Sequence, residues 1–308
     1  MTIDQRPGKQ DGGATGHRSP GAALRAVLAE ANAAPIMGVH DGLSARIALA
    51  EGFQALWASG LCMSTVLGVR DSDEASWSQL LALVESIVSS VDVPVLVDAD
   101  TGYGNFNTAR RFACKVESLG GAGICLEDKQ FPKMNSFVGD GHALAPVGEF
   151  SGKIRACKDA QIGADFVVVA RTEALIAGHS VGEALARAEA YREAGADAIF
   201  IHSRQRTVDE IAEFAVEWAG RHPLVIAPTT YYDTPIARFR ELGIDGVIWA
   251  NQGLRAAVTA MHAAYAEMWR DRGVTGIEPR IATLKQIFSL LRYDELEAAE
   301  QRYAGLIN

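Results

Sequence analysis

The sequence predicts an α/β chain closed into a (β/α)8 barrel of the TIM type, with extra helices at its C-terminal end. Three observations point there. Eight short runs are apolar throughout instead of alternating, the pattern of strands buried on both faces of a parallel sheet. Segments of helical periodicity separate them in one continuous register. No G-x-G-x-x-G turn follows any run, which disfavours an open dinucleotide-binding sheet. The length, 308 residues, suits one such barrel.

Residues 1–20 are rich in Gly, Gln, Asp and Pro and read as a disordered tail. The barrel is expected over 21–272, with a helical extension over 273–308. Strands are predicted at Pro35–Val39, Ala55–Ser59, Pro94–Asp98, Gly123–Glu127, Phe166–Ala170, Ala198–His202, Leu224–Ala227 and Gly246–Ala250. Between them, Trp77, Leu80, Leu81, Val84, Ile87 and Val88 recur at helical spacing, as do Ile211, Phe214, Ala215 and Trp218. Ser180-x-x-Glu183 and Thr207-x-x-Glu210 have the form of capping boxes at two helix starts. The segment Gln252–Arg270 is the expected eighth helix, and Gly273, Gly276 and Pro279 break the chain after it. A further helical region from Ile281 to Tyr303 is surplus to the barrel. Its Ile281, Leu284, Ile287, Phe288 and Leu291 need a surface to cover, on their own barrel or on a neighbouring subunit. A homo-oligomer, dimer or tetramer, is therefore expected, with helices swapped between subunits as one way to bury these faces.

Composition narrows the function classes. With 29 Lys+Arg against 38 Asp+Glu the formal charge is −9, so nucleic acid is not an expected partner. No run approaches the ~18 consecutive apolar residues that mark a membrane span. Cys62, Cys114, Cys125 and Cys157 form no Cys-x-x-Cys pair, which fits a reducing cytoplasm without a disulfide frame or zinc site. A small-molecule substrate is the expected partner.

In such a barrel the chemistry sits at the carboxyl ends of the strands. The third run ends in Asp98 and Asp100, the fourth in Glu127, the fifth in Arg171, the sixth in His202 and the eighth in Asn251. Asp98 and Asp100 are two apart, so extended backbone would send both carboxylates to one side, beside Glu127. Three converging acids repel each other unless a cation sits among them. Oxygen-only donors suit Mg²⁺, with Mn²⁺ as the substitute. The plainer alternative is that these acids cap the following helices. Arg171 is a fork suited to a carboxylate or phosphoryl group. His202 is either a proton-exchanging or hydrogen-bonding group, or a satisfied core histidine. Trp57, Ser59, Gly60 and Leu61 close the second strand, where backbone N–H groups can meet an oxyanion. From Lys129 to Val147 runs a long loop carrying Lys133, Asn135 and Ser136, which is either a lid or an ordinary surface excursion.

The stretches Asp98-Ala-Asp100-Thr-Gly-Tyr-Gly-Asn, Glu127-Asp-Lys-Gln-Phe-Pro-Lys133-Met-Asn135-Ser136, Leu67-Gly-Val-Arg-Asp71-Ser and Trp249-Ala-Asn251 together resemble the phosphoenolpyruvate mutase family of the isocitrate lyase superfamily. The likeness runs from about Pro35 to the end of the chain. It implies a Mg²⁺-dependent intramolecular transfer, in which the phosphoryl group of phosphoenolpyruvate moves from oxygen to C3 to give 3-phosphonopyruvate. It further implies that Asp98 binds the ion directly, with Asp100 and Glu127 acting through its waters. Trp57, Ser59, Gly60 and Leu61 would line the pocket, with Ser59 and Gly60 as backbone donors. Arg171 and His202 would hold anionic groups, and Lys133, Asn135 and Ser136 would arrive on the lid. Asp71 stands where the family has either a phosphoryl acceptor or an electrostatic guide.

Rival activities share this floor. Phosphonopyruvate hydrolases carry a lid resembling Lys-x-Thr-Ser, whereas this chain has Lys133-Met134-Asn135-Ser136. C–C lyases resemble one another in a cysteine on the equivalent loop, which is missing here. Carboxyphosphoenolpyruvate mutase is a nearer alternative. The carboxylate set is intact, which counts against a silent scaffold.

Overall fold

In the computed structural model, which describes residues 18–30, 32–139 and 142–304, eight parallel strands close in chain order, the first pairing with the last. They are β1 (Ala34–Val39), β2 (Leu56–Ala58), β3 (Val95–Asp98), β4 (Gly123–Glu127), β5 (Val167–Thr172), β6 (Ala198–Ile201), β7 (Leu224–Ile226) and β8 (Gly246–Trp249). Every predicted strand is present. β5 runs two residues past its expected end because Arg171 pairs in register with Glu127 on one side and Phe200 on the other. The polar strand end is thus held in the ladder.

The helices are α1 (Pro20–Glu30), α2 (Gly42–Ala50), α3 (Gly60–Val66), α4 (Trp77–Val88), α5 (Phe106–Ser118), α6 (Val147–Ala160), α7 (Val181–Glu193), α8 (Asp209–Trp218), α9 (Ile236–Glu241), α10 (Gln252–Asp271), α11 (Leu284–Leu290) and α12 (Tyr293–Tyr303). Two apolar clusters hold them. One lies between sheet and helices, and the other fills the barrel with Ile36, Leu96, Val169, Phe200 and Ile248. Leu24 and Leu28 of α1 join the inner cluster, so α1 stoppers the amino-terminal end of the barrel. Gly21 is required there, since a Cβ would lie 2.2 Å from the carbonyl oxygen of Asp165. Residues 1–17 of the expected tail lie outside the described residues, and Pro20 already opens a helix.

Two capping expectations need correction. Ser180 accepts from the Glu183 N–H as expected, but the Glu183 carboxylate is taken by Arg187, so the reciprocal half is missing. Thr207 caps nothing: α8 starts at Asp209 with Val208 before it, and Glu210 accepts instead from the Ser203 hydroxyl at 2.6 Å. In both cases a nearer donor outcompetes the helix start for the acid.

The C-terminal helices leave apolar surface uncovered within one chain. Only Leu254 of α10 is buried, while Val258, Met261, Tyr265 and Trp269 are exposed. α11 touches α2, where Arg46 Nη1 donates to the carbonyl of Leu290, yet Ile281, Leu284, Phe288 and Leu291 remain exposed.

Candidate active site

The carboxyl ends of the strands enclose a small cavity of about 50 Å³ beneath the closed loop. Its wall includes Trp57, Ser59, Leu61, Asp71, Asp98, Glu127, Lys133, Asn135, Ser136, Arg171 and His202. Asp100 and Gly60 stand behind that wall. The remainder comes from Phe137, Phe200, Ala227, Thr229, Ile248, Ala250 and Asn251.

Asp98 ends β3, and its carboxylate accepts from the N–H of Gly60 at 3.1 Å and of Asp100 at 3.3 Å. Asp100 reaches the same place by a route that strand alternation did not anticipate. Its φ is +48°, so the chain turns left-handed immediately after the strand. The two acids converge over Gly60, where a Cβ would lie 2.9 Å from an oxygen of each. The expected oxyanion donors are also used otherwise: the Ser59 N–H donates to the carbonyl of Val39, and the Gly60 N–H fixes Asp98. A carboxylate beside a helix start captures the nearest N–H, which orients the acid instead of serving a ligand.

Lys133, carried in by the loop, sits 2.5 Å from Asp100 and 2.7 Å from Asp71. Burial works against its charge, yet Asp100 and Asp71 hold its pKa well above the ordinary lysine value. The Asn135 amide donates to the other oxygen of Asp71 at 2.5 Å. Asp73, absent from the sequence-based site, accepts from the backbone N–H of Lys133. Its spacing of two from Asp71 in one loop was the available signal. Ser136 donates to Glu173 at 2.6 Å and accepts from Lys129 at 2.6 Å. The loop therefore closes over the cavity through three of its side chains. Its root is a short antiparallel pairing of Lys129 with Leu144, and residues 140 and 141 are not described.

Glu173 is the hub that the sequence did not reveal. Fully buried, it meets Arg171 Nε at 2.5 Å, His202 Nδ1 at 2.8 Å and Lys129 Nζ at 3.2 Å. Burial pushes its carboxyl up, but Arg171, His202 and Lys129 outweigh burial and hold it well below the ordinary range. The signal was spacing: Glu173 lies two beyond Arg171, and Lys129 two beyond Glu127. Burial and then Arg171 push His202 below its ordinary value, so it is neutral at pH 7. Its Nδ1 stands between an acceptor and a donor, 2.8 Å from the Glu173 carboxylate and 2.9 Å from Arg171 Nη2.

The charges lining the cavity are Asp71, Asp98 and Glu127 against Lys133 and Arg171. An anionic ligand enters such a site only with a further cation. Burial raises the pKa of Asp98 and of Asp100 despite Lys133, the behaviour of acids awaiting positive charge. Glu127 Oε1 is buried without a hydrogen-bond partner among the described residues, with Lys129 Nζ 3.8 Å away. Among the described residues no three His, Cys, Asp or Glu side chains are placed to ligate one ion together. The set fits a divalent ion that takes one carboxylate directly and keeps its waters.

The phosphoenolpyruvate phosphomutase family pattern matches residues 24–269. A phosphoenolpyruvate phosphomutase of Streptomyces hygroscopicus is 60% identical over 98% of this chain and 96% of its own length. The crystal structure of the phosphoenolpyruvate phosphomutase of Streptomyces platensis subsp. rosaceus superposes with a TM-score of 0.90 at 41% identity, covering 92% of this chain and 99% of that one. A phosphonopyruvate hydrolase complexed with oxalate and Mg²⁺ superposes with a TM-score of 0.88 at 38% identity, covering 93% of this chain and 100% of that one.

Proposed function

The chain belongs to the phosphoenolpyruvate phosphomutase family, and from that membership and the cavity we infer that it interconverts phosphoenolpyruvate and 3-phosphonopyruvate, as an isomerase. The observation that carries this reading is the closed loop: Asn135 and Lys133 both engage Asp71 across the cavity, where a migrating phosphoryl group would need donors and no water.

Asp98 would hold Mg²⁺ directly, with Asp100 and Glu127 acting through its waters. The ion supplies positive charge where the enolate oxygen and the phosphoryl oxygens carry negative charge. Arg171 and His202 would orient the substrate's anionic groups, and Lys133 and Asn135 would hold the phosphoryl group in transit. Trp57, Ser59, Gly60 and Leu61 form the floor, and Ser136 with Phe137 closes the roof. The transferring group is metaphosphate-like and bonds to the nearest nucleophile, so water exclusion decides the product. Asp71 has one oxygen bonded to Asn135 and the other paired with Lys133, which favours orientation over attack on phosphorus.

Incubating the protein with phosphonopyruvate and Mg²⁺ and following ³¹P NMR should give phosphoenolpyruvate as the first product. Direct release of phosphate and pyruvate, with no phosphoenolpyruvate, would replace the mutase by a hydrolase.

The domain plan proposed is a barrel over 21–272 and a helical extension over 273–308, preceded by a tail. The exposed apolar faces of α10 and α11 support a homo-oligomer in which these helices pack on a neighbouring barrel. The groove over β1 and β8, lined by Met37, Phe53, Ile236, Phe239 and Trp249, is an apolar seat for them. Light scattering should give twice or four times the chain mass, and a monomer at micromolar concentration would refute this packing. The four free thiols support a cytoplasmic setting. Among the described residues no helix is long and apolar enough to cross a membrane.

A further inference from the structure

We propose that Tyr191 and Arg187, on the inward side of α7 and outside the cavity, are positioning residues that act through Asp128 to hold the lid shut, and so set how much of the phosphoryl group is lost to water. The inference rests on the mutase reading above.

Asp128 follows Glu127 at the end of β4 but turns away from the cavity into the layer beneath α7. It is fully buried. One oxygen accepts from the backbone N–H of Glu173 at 2.7 Å. The other accepts from Tyr191 OH at 2.7 Å, Arg187 Nη1 at 3.2 Å and Thr172 Oγ1 at 3.2 Å. The main chain of Asp128 accepts from the N–H of Ala145 at 2.8 Å, while Arg187 donates to the carbonyl of Ala145 at 3.1 Å. Ala145 is where the lid returns to the barrel, just before α6. The Asp128 main chain and Arg187, which the Asp128 carboxylate and Tyr191 hold in place, therefore grip the lid's return leg by both backbone groups of Ala145. The same carboxylate fixes Glu173, and the Glu173 side chain takes the lid's Ser136.

Packing α7 against the sheet does not require a buried charge, because apolar side chains of similar volume do that as well or better. What the charge adds is a fixed link from α7 to the lid's return leg and to the main chain of Glu173. If it slackens, the lid admits water while the phosphoryl group is in flight. The water oxygen then bonds to phosphorus and the carbon–phosphorus bond breaks. Its electron pair remains on the pyruvate enolate, which takes up a proton, and the products are inorganic phosphate and pyruvate.

The test compares Tyr191→Phe with Tyr231→Phe. Both hydroxyls are buried, but that of Tyr231 has no hydrogen-bond partner among the described residues and lies outside the network. Each variant is given phosphonopyruvate and Mg²⁺, and the initial ratio of phosphate to phosphoenolpyruvate is read by ³¹P NMR. Tyr191→Phe should raise that ratio about tenfold, a difference of about 1.4 kcal/mol between the two routes, and Tyr231→Phe should leave it unchanged. Thr172→Val, which removes a longer bond to the same carboxylate, should move it in the same direction and decides the matter if Tyr191→Phe does not fold. A folded Tyr191→Phe or Thr172→Val with the wild-type ratio, even at a reduced total rate, would overturn the proposal. A wild-type protein that forms no phosphoenolpyruvate would instead remove the mutase reading.

Discussion

Asp98→Ala is expected to lower kcat/KM about 10³-fold or more while the chain stays folded. A divalent ion acting on developing oxygen charge is worth several kcal/mol, and about 4 kcal/mol corresponds to about 10³ in rate. The fold fixes the orientation of Asp98 through the N–H groups of Gly60 and Asp100. Removing it leaves those two donors without their acceptor, at about 1–3 kcal/mol each. The same change relieves the crowding of acids that burial already disfavours in ionised form. Stability should therefore move little while ion binding fails. Calorimetric titration with Mg²⁺ or Mn²⁺ beside steady-state turnover checks this. Undiminished turnover would mean that the ion is held elsewhere, and unchanged affinity with lost turnover would give Asp98 a role toward substrate.

The strand ends were legible because five of the eight apolar runs stop abruptly at an ionisable or amide residue, and burial on both faces leaves little ambiguity about where a parallel strand lies. Asp98, Glu127, Arg171 and His202 follow directly. What was not legible depends on tertiary partners. Asp100 reaches its place through a left-handed turn, which a two-residue spacing does not encode. Thr207 matched a capping box, but Ser203 competed for Glu210. Lys129, Asp128 and Glu173 looked like polar residues following a strand, yet all three are buried. Their weight lies in pairs drawn from different strands and helices. Asp71 stands in a loop without periodicity, so only its place in a family motif brought it forward, and the structure then joined it to Lys133 and Asn135. The helix from Pro20 escaped notice because its stripe toward the barrel is only Leu24 and Leu28 wide.

Glu173→Gln, a change just behind the cavity wall, should cost more stability than any single change of one polar side chain within that wall. The carboxylate is the shared counter-charge of Arg171 and Lys129 and the acceptor for His202 and Ser136. An amide keeps the volume but strands two buried cations, and breaking a buried ion pair from one side costs about 3–5 kcal/mol. The loss should depend on pH in a defined direction. Because the folded protein holds this carboxyl well below its ordinary value, its contribution is fully present above the unfolded glutamate value of about 4.3 and fades as pH falls toward the lower folded value. Urea unfolding should therefore show a wide gap between wild type and Glu173→Gln at pH 7, narrowing below about pH 4. Turnover should fall about 10²-fold, because Arg171 and His202 lose the group that aims them, while Mg²⁺ affinity, which the proposal assigns to Asp98, should stay near wild type. A gap in stability that does not change with pH would show that Glu173 contributes through packing and not through charge.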